Sequence, residues 1–336
     1  MAFSMVSTPK IYTIIVNYKS WQDTVECIES LLKIKYANNQ IIVIDNASPN
    51  NAFEALINWA SDYWTHEPDA FAIIPAEYQE SSVPPTHTFP NAKLLLYRSS
   101  INGGFAAGNN IGIRFALYRN DFDFLWLLNN DTVADKDSLP ELVKAAILAI
   151  STGRKIGMWG SKLLYYQEPS KVQAIGGKLN LATLTTSHIA EGWEDNSTAL
   201  PQAIDPDYIV GASMFISKDF IDEVGLMDET YFLYFEELDW AQRGKRRGFG
   251  LGYVPLSRVF HKEGKTIGSS SSGAGKSDLA DFHGLRSKII FFRKFYPERT
   301  VQLYASLLTS ACLRLARLQF KRGAAVFQLM WRTKNI

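Results

Sequence analysis

Glu236, Glu237 and Asp239 fall within four positions, directly after the aromatic run Phe232-Leu-Tyr-Phe and four residues before Arg243. Acids this close repel one another. Beside an apolar run they either face water or sit where one of them collects a proton or holds a cation. A solvated helix start also accounts for them, because acids complement the positive end of the helix dipole. Asp131 is a second candidate, since the apolar run 122–128 leads straight into Asn129-Asn130-Asp131-Thr132. A carboxylate at the open end of a buried strand suits Mg²⁺ or Mn²⁺ that also touches substrate phosphates, although it can equally cap the helix expected near Ser138. One aspartate is a poor metal site alone. His261, with Gly264 and Thr266 behind it, is the candidate partner, and its alternative is a structural histidine.

These residues need a frame, and the hydrophobic pattern supplies one. Ile11–Asn17 and residues 40–44 read as buried strands with a helical period over 21–34 between them, which implies parallel pairing through a crossover helix. Ligands on such sheets bind beyond the carboxyl ends of the strands, where Asn17, Tyr18, Asp45 and Asn46 fall. An acid placed like Asp45 can accept from a ribose hydroxyl or a base, or cap the next helix. A helix is expected over 53–60, and 61–91 has no period and reads as an irregular insertion. A third strand over 93–97 precedes Asn102-Gly103-Gly104, where small residues at a helix entry let backbone N–H groups approach an anion. Neither GxGxxG nor a P-loop is present there. Farther on, 156–166 and 171–179 look extended with a bend at Gly176-Gly177. Residues 183–207 form a polar stretch, 207–217 read as a strand, 218–225 as a short helix and 258–260 as a short strand.

With 336 residues, 46% of them hydrophobic, the chain can build a large core without covalent staples. Cys27 and Cys312 stand far apart in apolar surroundings, which argues against a disulfide framework and for a reducing cytoplasm. The N-terminal decapeptide lacks the apolar run of an export signal, and no segment reaches the roughly 18 apolar residues of a membrane span. Charge is uneven. Residues 286–336 hold eleven Lys and Arg against Glu298 alone, so this tail is +10 while the whole chain is +1. Within it, 286–294 and 301–318 mix large apolar residues with cations. The second can fold with Leu303, Leu307, Leu308, Ala311 and Leu315 on one side and Arg314 and Arg317 towards the other. Such a helix either lies at the inner face of an anionic membrane or packs on the body of the protein or on a second copy as a homodimer. Nucleic acid is disfavoured, because the body is acidic and no binding motif is present.

Taken in order, IIVNY, IVIDNAS, NGGFAAGNN, LLNNDT, VGASMFISK, FLYFEELDWAQR and FHKEG resemble family 2 inverting glycosyltransferases of the GT-A fold, and within them bacterial rhamnosyltransferases of polysaccharide assembly. The resemblance implies a Rossmann-like mixed α/β sheet flanked by helices over residues 1–268, with a basic helical extension over 277–336. It implies a nucleotide-sugar donor, dTDP- or UDP-linked and in the nearest pattern dTDP-L-rhamnose, and a saccharide or lipid-linked glycan acceptor. Asn17, Tyr18, Asp45, Asn102, Gly103, Asn130 and Arg243 would then border the donor. Asp131 and His261 would hold Mg²⁺ or Mn²⁺, Asn129 standing where many members carry another aspartate. Glu237 would take the place of the base, with Glu236 and Asp239 in support. A module that binds the nucleotide-sugar without turning it over, or a membrane-associated scaffold, is the competing expectation.

Overall fold

The structure is a computed structural model and describes residues 8–75, 89, 92–196, 198–262 and 277–332. β1 (Ile11–Asn17), α1 (Trp21–Leu32) and β2 (Asn39–Asp45) open the chain. β1 and β2 pair in parallel with Ile11 beside Asn39 and Asn17 beside Asp45, so both strands end at one edge. α2 (Ala52–Tyr63) follows, then β3 (Phe71–Ile73), β4 (Leu94–Arg98), α3 (Gly104–Arg119) and β5 (Phe124–Asn129). The middle holds β6 (Thr132–Ala134), α4 (Ser138–Ser151), β7 (Ile156–Tyr165), β8 (Val172–Ala174), β9 (Gly177–Asn180) and β10 (Thr185–His188). β11 (Ser213–Ser217), α5 (Lys218–Val224), α6 (Glu236–Arg246) and β12 (Gly250–His261) complete the sheet region. α7 (Asp278–Phe295), α8 (Thr300–Ala316) and α9 (Phe320–Arg332) follow.

The main sheet runs β3-β4-β2-β1-β5-β11-β7-β12-β6, with β8 on β7. Strands up to β5 are parallel, and β11 enters antiparallel between β5 and β7. Alternate residues of β1 feed two cores. Ile11 and Ile15 face a layer covered by α1, α2 and α4, while Tyr12 and Ile14 face one covered by α3, α5 and α6. A strand buried on both faces carries no polar alternation, which is why IYTIIVN reads as a continuous apolar run.

Several expectations shift. The insertion 61–91 includes the end of α2, a 3₁₀ turn (Pro68–Ala70) and β3, which pairs with β4 and is legible only through that pairing; most of its remainder, like Gly264 and Thr266, lies outside the described residues. The polar stretch 183–207 holds β10, which pairs with β9 in a two-stranded ribbon. The strand expected over 207–217 shortens to Ser213–Ser217, and the short one over 258–260 is the end of the twelve-residue β12. Both cysteines are free. The basic tail is helical and packed: Leu303, Leu307 and Ala311 of α8 are buried with Ile289 and Phe292 of α7, Val326 of α9 and Tyr231, Leu238 and Ala241 of the body. Among the described residues no helix is long and apolar enough to cross a membrane.

A single contact joins the entry of α3 to the loop before α6. Phe105 N–H donates to the Phe232 carbonyl at 2.9 Å, and Gly104 adopts φ +86°. A Cβ on Gly104 would stand 2.1 Å from that carbonyl oxygen. Backbone on both sides leaves nothing to move aside. Gly104→Ala is therefore expected to lower the unfolding free energy by at least about 2 kcal/mol, measured by urea denaturation.

Candidate active site

A cavity of about 960 Å³ opens at the carboxyl ends of β1 and β5 and is bounded by the last residue of β12. Tyr18, Asn102, Asn130, Asp131, His261, Glu236 and Glu237 all line it, so residues up to 243 positions apart meet in one space. Topology accounts for this, since parallel strands deliver their carboxyl ends to one edge.

Asp131 and His261 come from the two sides of the sheet edge. Asp131 follows β5, and His261 closes β12 with the Asp131 carbonyl accepting from Lys262 N–H at 2.9 Å. Asp131 Oδ1 and His261 Nε2 stand 3.2 Å apart. On the far side of the ring, Gln173 Oε1 is 2.8 Å from Nδ1 and, as an acceptor, takes that N–H. This tautomer turns the Nε2 lone pair towards the carboxylate. Two electron-rich atoms at that separation need positive charge on or between them. Either an imidazolium proton or a divalent cation answers. Neighbouring ligands about 2.1 Å from an octahedral cation lie about 3 Å apart, close to the spacing found. Among the described residues no cluster of three or more acidic, histidine or cysteine ligands exists. The pair therefore suits Mg²⁺ or Mn²⁺ that takes its other ligands from water and a substrate diphosphate. Burial pushes the Asp131 carboxyl up, but the charge and hydrogen bond of His261 outweigh it and hold the group below its ordinary value.

The start of α6 contributes a further part of the lining. Tyr234 and Phe235 both adopt left-handed backbone, φ 67° and 71°, an arrangement costly for side-chain-bearing residues. It swings Glu236 and Glu237 into the cavity lining instead of out to solvent. One carboxylate oxygen of each is buried without a hydrogen-bond partner. Burial pushes the Glu237 carboxyl up to about 7. Glu236 is raised well above the ordinary carboxylate value, by burial and then by the charge of Glu237. Near neutral pH Glu237 is therefore placed to accept a proton.

Other residues singled out in the sequence stand behind the cavity rather than in it. Asp45 is fully buried, accepting from Asn17 Nδ2 at 2.7 Å and from Ser48 Oγ at 2.6 Å. Asn17 in turn accepts from Thr24 Oγ1. Neither side chain lines the cavity. Asn46 does, and its Nδ2 donates to Asn102 Oδ1 and to the Gly104 carbonyl, tying β2 to the entry of α3. Gly104 lines it in place of Gly103. Asn130 faces the cavity while donating to Thr24 Oγ1. Asp239 has no exposed surface and accepts from Arg243 Nε and Lys294 Nζ, each at 2.6 Å, and from Tyr231. Arg243 also donates to the carbonyls of Val224 and Leu226. Neither Arg243 nor Asp239 lines the cavity, and with Lys294 they form an ion cluster around the buried Asp239 that fixes α6 on α5 and α7. Gln173 was not singled out, because a glutamine in a short strand carries no sequence signal. The wall formed by Asp281 and Arg314 was equally silent.

The fold has counterparts among known proteins. The model of the family Glycosyl transferase family 2 matches residues 12–75. The low-salt glycan biosynthesis hexosyltransferase Agl10 of Haloferax volcanii is 23% identical over 253 residues, 74% of this chain and 66% of that protein. GalNAc-T7, solved with UDP, GalNAc and Mn²⁺, superposes with a TM-score of 0.62 at 17% identity over 89% of this chain and 50% of its own. The mannosyltransferase PcManGT of Pyrobaculum calidifontis, in complex with GDP-Man and Mn²⁺, gives 0.53 at 13% over 97% and 87%. The chain therefore spans about two thirds of the length of the Haloferax relative and half that of GalNAc-T7. The fold is the GT-A type, a mixed sheet flanked by helices, as the sequence motifs implied.

The raised carboxyl of Glu237 has a measurable cost. A carboxyl whose value is higher folded than unfolded favours folding below its unfolded value, near 4.5, and loses that advantage as pH rises through about 7. Glu237→Gln removes the charge that must be buried. At pH 8 the variant is expected to be more stable than the parent by on the order of 2 kcal/mol, and at pH 4 to match it, read from thermal unfolding at the two pH values. Arg243→Ala should instead lower stability at pH 7 by about 3 kcal/mol, because Asp239 loses a partner where no water can replace it.

Proposed function

We propose that this protein is an inverting, divalent-metal-dependent glycosyltransferase that moves a sugar from a nucleoside diphosphate to a saccharide or lipid-linked glycan in cell-surface polysaccharide synthesis. The observation that carries the reading is the lining of one cavity by Asp131, His261 and Glu237. The lining holds a ligand pair suited to a diphosphate-bound cation. It also holds a half-buried carboxyl raised to about 7. The family match over 12–75 and the likeness to a hexosyltransferase support the same class. Within it, the motif set favours dTDP-L-rhamnose as the donor, ahead of UDP-linked sugars.

Moving a glycosyl group to an alcohol requires charge to be stabilised on the departing diphosphate and a proton to be taken from the incoming hydroxyl. Asp131 and His261 would hold Mg²⁺ or Mn²⁺, which when bound supplies the first by drawing charge from the diphosphate oxygens. Asn102, Asn130 and Tyr18 lie along the cavity towards the sheet edge, where they can orient the nucleotide and sugar. Glu237 takes the acceptor proton onto its unpartnered oxygen. With the base facing the anomeric carbon opposite the leaving group, a single in-line displacement inverts the centre, as in inverting hydrolases. The charge on Glu237 raises Glu236 in turn, so the second carboxyl resists ionising beside a charged base.

A screen of nucleotide-sugars for Mn²⁺-dependent hydrolysis names the donor without the acceptor. Glu237→Gln is expected to cut turnover by about 10² to 10⁴-fold while leaving nucleotide affinity, read by calorimetry with Mn²⁺, within about twofold. Undiminished turnover would remove Glu237 from the role of base. Asp131→Asn is expected to weaken Mn²⁺-dependent nucleotide binding by about 10- to 100-fold in the same calorimeter, and equal affinity would remove the metal from this site.

A further inference from the structure

α8 is apolar on two opposite sides. Leu303, Leu307 and Ala311 are buried in the core shared with α7 and α9. Val301, Ala305, Leu308, Cys312, Leu313 and Ala316 on the far side are all exposed, and none carries charge. α9 repeats the arrangement. Val326 and Leu329 turn inward, while Phe320, Ala324, Phe327 and Trp331 are exposed at helical spacing, Trp331 with 76% of its surface open. A helix that only packs on a globular body keeps its outer face polar. Two adjoining helices that instead turn leucines, phenylalanines and a tryptophan outward form a surface made to be covered.

We propose that the outward face of α8 and α9 seats this protein on the surface of an anionic lipid bilayer, with Leu313, Phe327 and Trp331 among the headgroups and Arg317 and Lys321 against lipid phosphates. Charge selects lipid over a second copy of the chain. Residues 300–336 contain no Asp or Glu. Arg314 is ion-paired with Asp281 and Arg322 with Asp278, whereas Arg317 and Lys321 are exposed and have no ion pair among the described residues. Two copies joined through this face would bring those cations together with no acid to meet them. A layer of anionic headgroups does meet them, each cation strengthening binding several-fold near the surface. The depth is also suitable, since helices of this kind lie in the interface without spanning, and neither helix is long and apolar enough to cross.

α8 also reaches the cavity, beside α7. Ala280, Asp281 and Gly284 of α7 and Arg314 of α8 line it. Resting on the glycosyl transfer proposed above, a bilayer under α8 and α9 would place a lipid-linked acceptor within reach of Glu237.

The test is co-sedimentation of the full chain with vesicles of phosphatidylcholine alone and of phosphatidylcholine containing about one third phosphatidylglycerol. Binding to the anionic vesicles should be at least about tenfold tighter and should weaken between about 0.1 M and about 0.5 M salt. Arg317→Glu with Lys321→Glu should reduce it to the neutral-vesicle level. Leu313→Ser, Phe320→Ser and Phe327→Ser combined should abolish it, with circular-dichroism melting and nucleotide affinity little changed because all three side chains are exposed. Absence of binding to either vesicle overturns the proposal, as does binding that survives both sets of substitutions. A dimer in analytical ultracentrifugation that the triple substitution disperses, with no vesicle binding, assigns the face to a second copy instead. Vesicle binding is read without a sugar donor, so its failure and a failure of glycosyl transfer are separate results.

Discussion

Two consecutive carboxylates, Glu236 buried and Glu237 half-buried, each with one enclosed oxygen that has no hydrogen-bond partner among the described residues, are the constraint around which this molecule is arranged. Left to itself the start of α6 would turn Glu236 and Glu237 to water, where acids at a helix N-terminus are welcome. Two consecutive left-handed residues, Tyr234 and Phe235, prevent that. The strain has to be held from outside, and three fastenings hold it. The Phe232 carbonyl is clasped by Phe105 N–H, Ser287 donates to the Leu233 carbonyl, and the Asp239, Arg243 and Lys294 cluster anchors the helix behind them. Unfavourable burial at one turn is thus offset by favourable burial at the next.

Asp239 and Glu237 show how far sequence alone separates two such acids. Both lie in a run of three, both follow an apolar stretch, and a helical period puts them on different sides of α6. What distinguishes them is which cation reaches which acid, and Lys294, 55 residues along the chain, is placed by the packing of α7. The same holds for Arg243. A cation one turn after acids reads as a ligand for substrate until the carbonyls of Val224 and Leu226 are seen to occupy its donors. Strand positions were legible because burial on both faces leaves a dense apolar run. β3 and β10 were not, because three or four residues carry no period and their pairing partners are distant or polar.

The Asp131 and His261 pair was legible for a different reason. Asp131 and His261 each close a strand, and strand ends are the best-marked points in an α/β sequence. Asn129 in place of an acid left one carboxylate, and the structure shows what accompanies it: a histidine whose tautomer is set by Gln173. Lys262, beside it, is tied to Asp23 and Glu26 of α1, so the strand end that carries His261 cannot drift. A side chain held in this way would lose little entropy on binding a cation, which would offset in part the single carboxylate.

The basic tail is where composition misleads if taken as one number. Its eleven cations suggest a uniformly charged surface, yet Arg314, Arg322 and Lys294 are each bound to an acid and serve the packing of α7, α8 and α9 on the body. What remains facing outward is sparse in charge and rich in large apolar side chains. The amphipathic pattern visible in 301–318 is the stripe that packs on the body, one of the two expectations held for it, except that Leu308 faces outward. The outer stripe is hidden in such a reading because a helix apolar on both sides has little overall asymmetry to detect. Only after the core has claimed Leu303, Leu307 and Ala311 does the second apolar face stand out as surplus to folding.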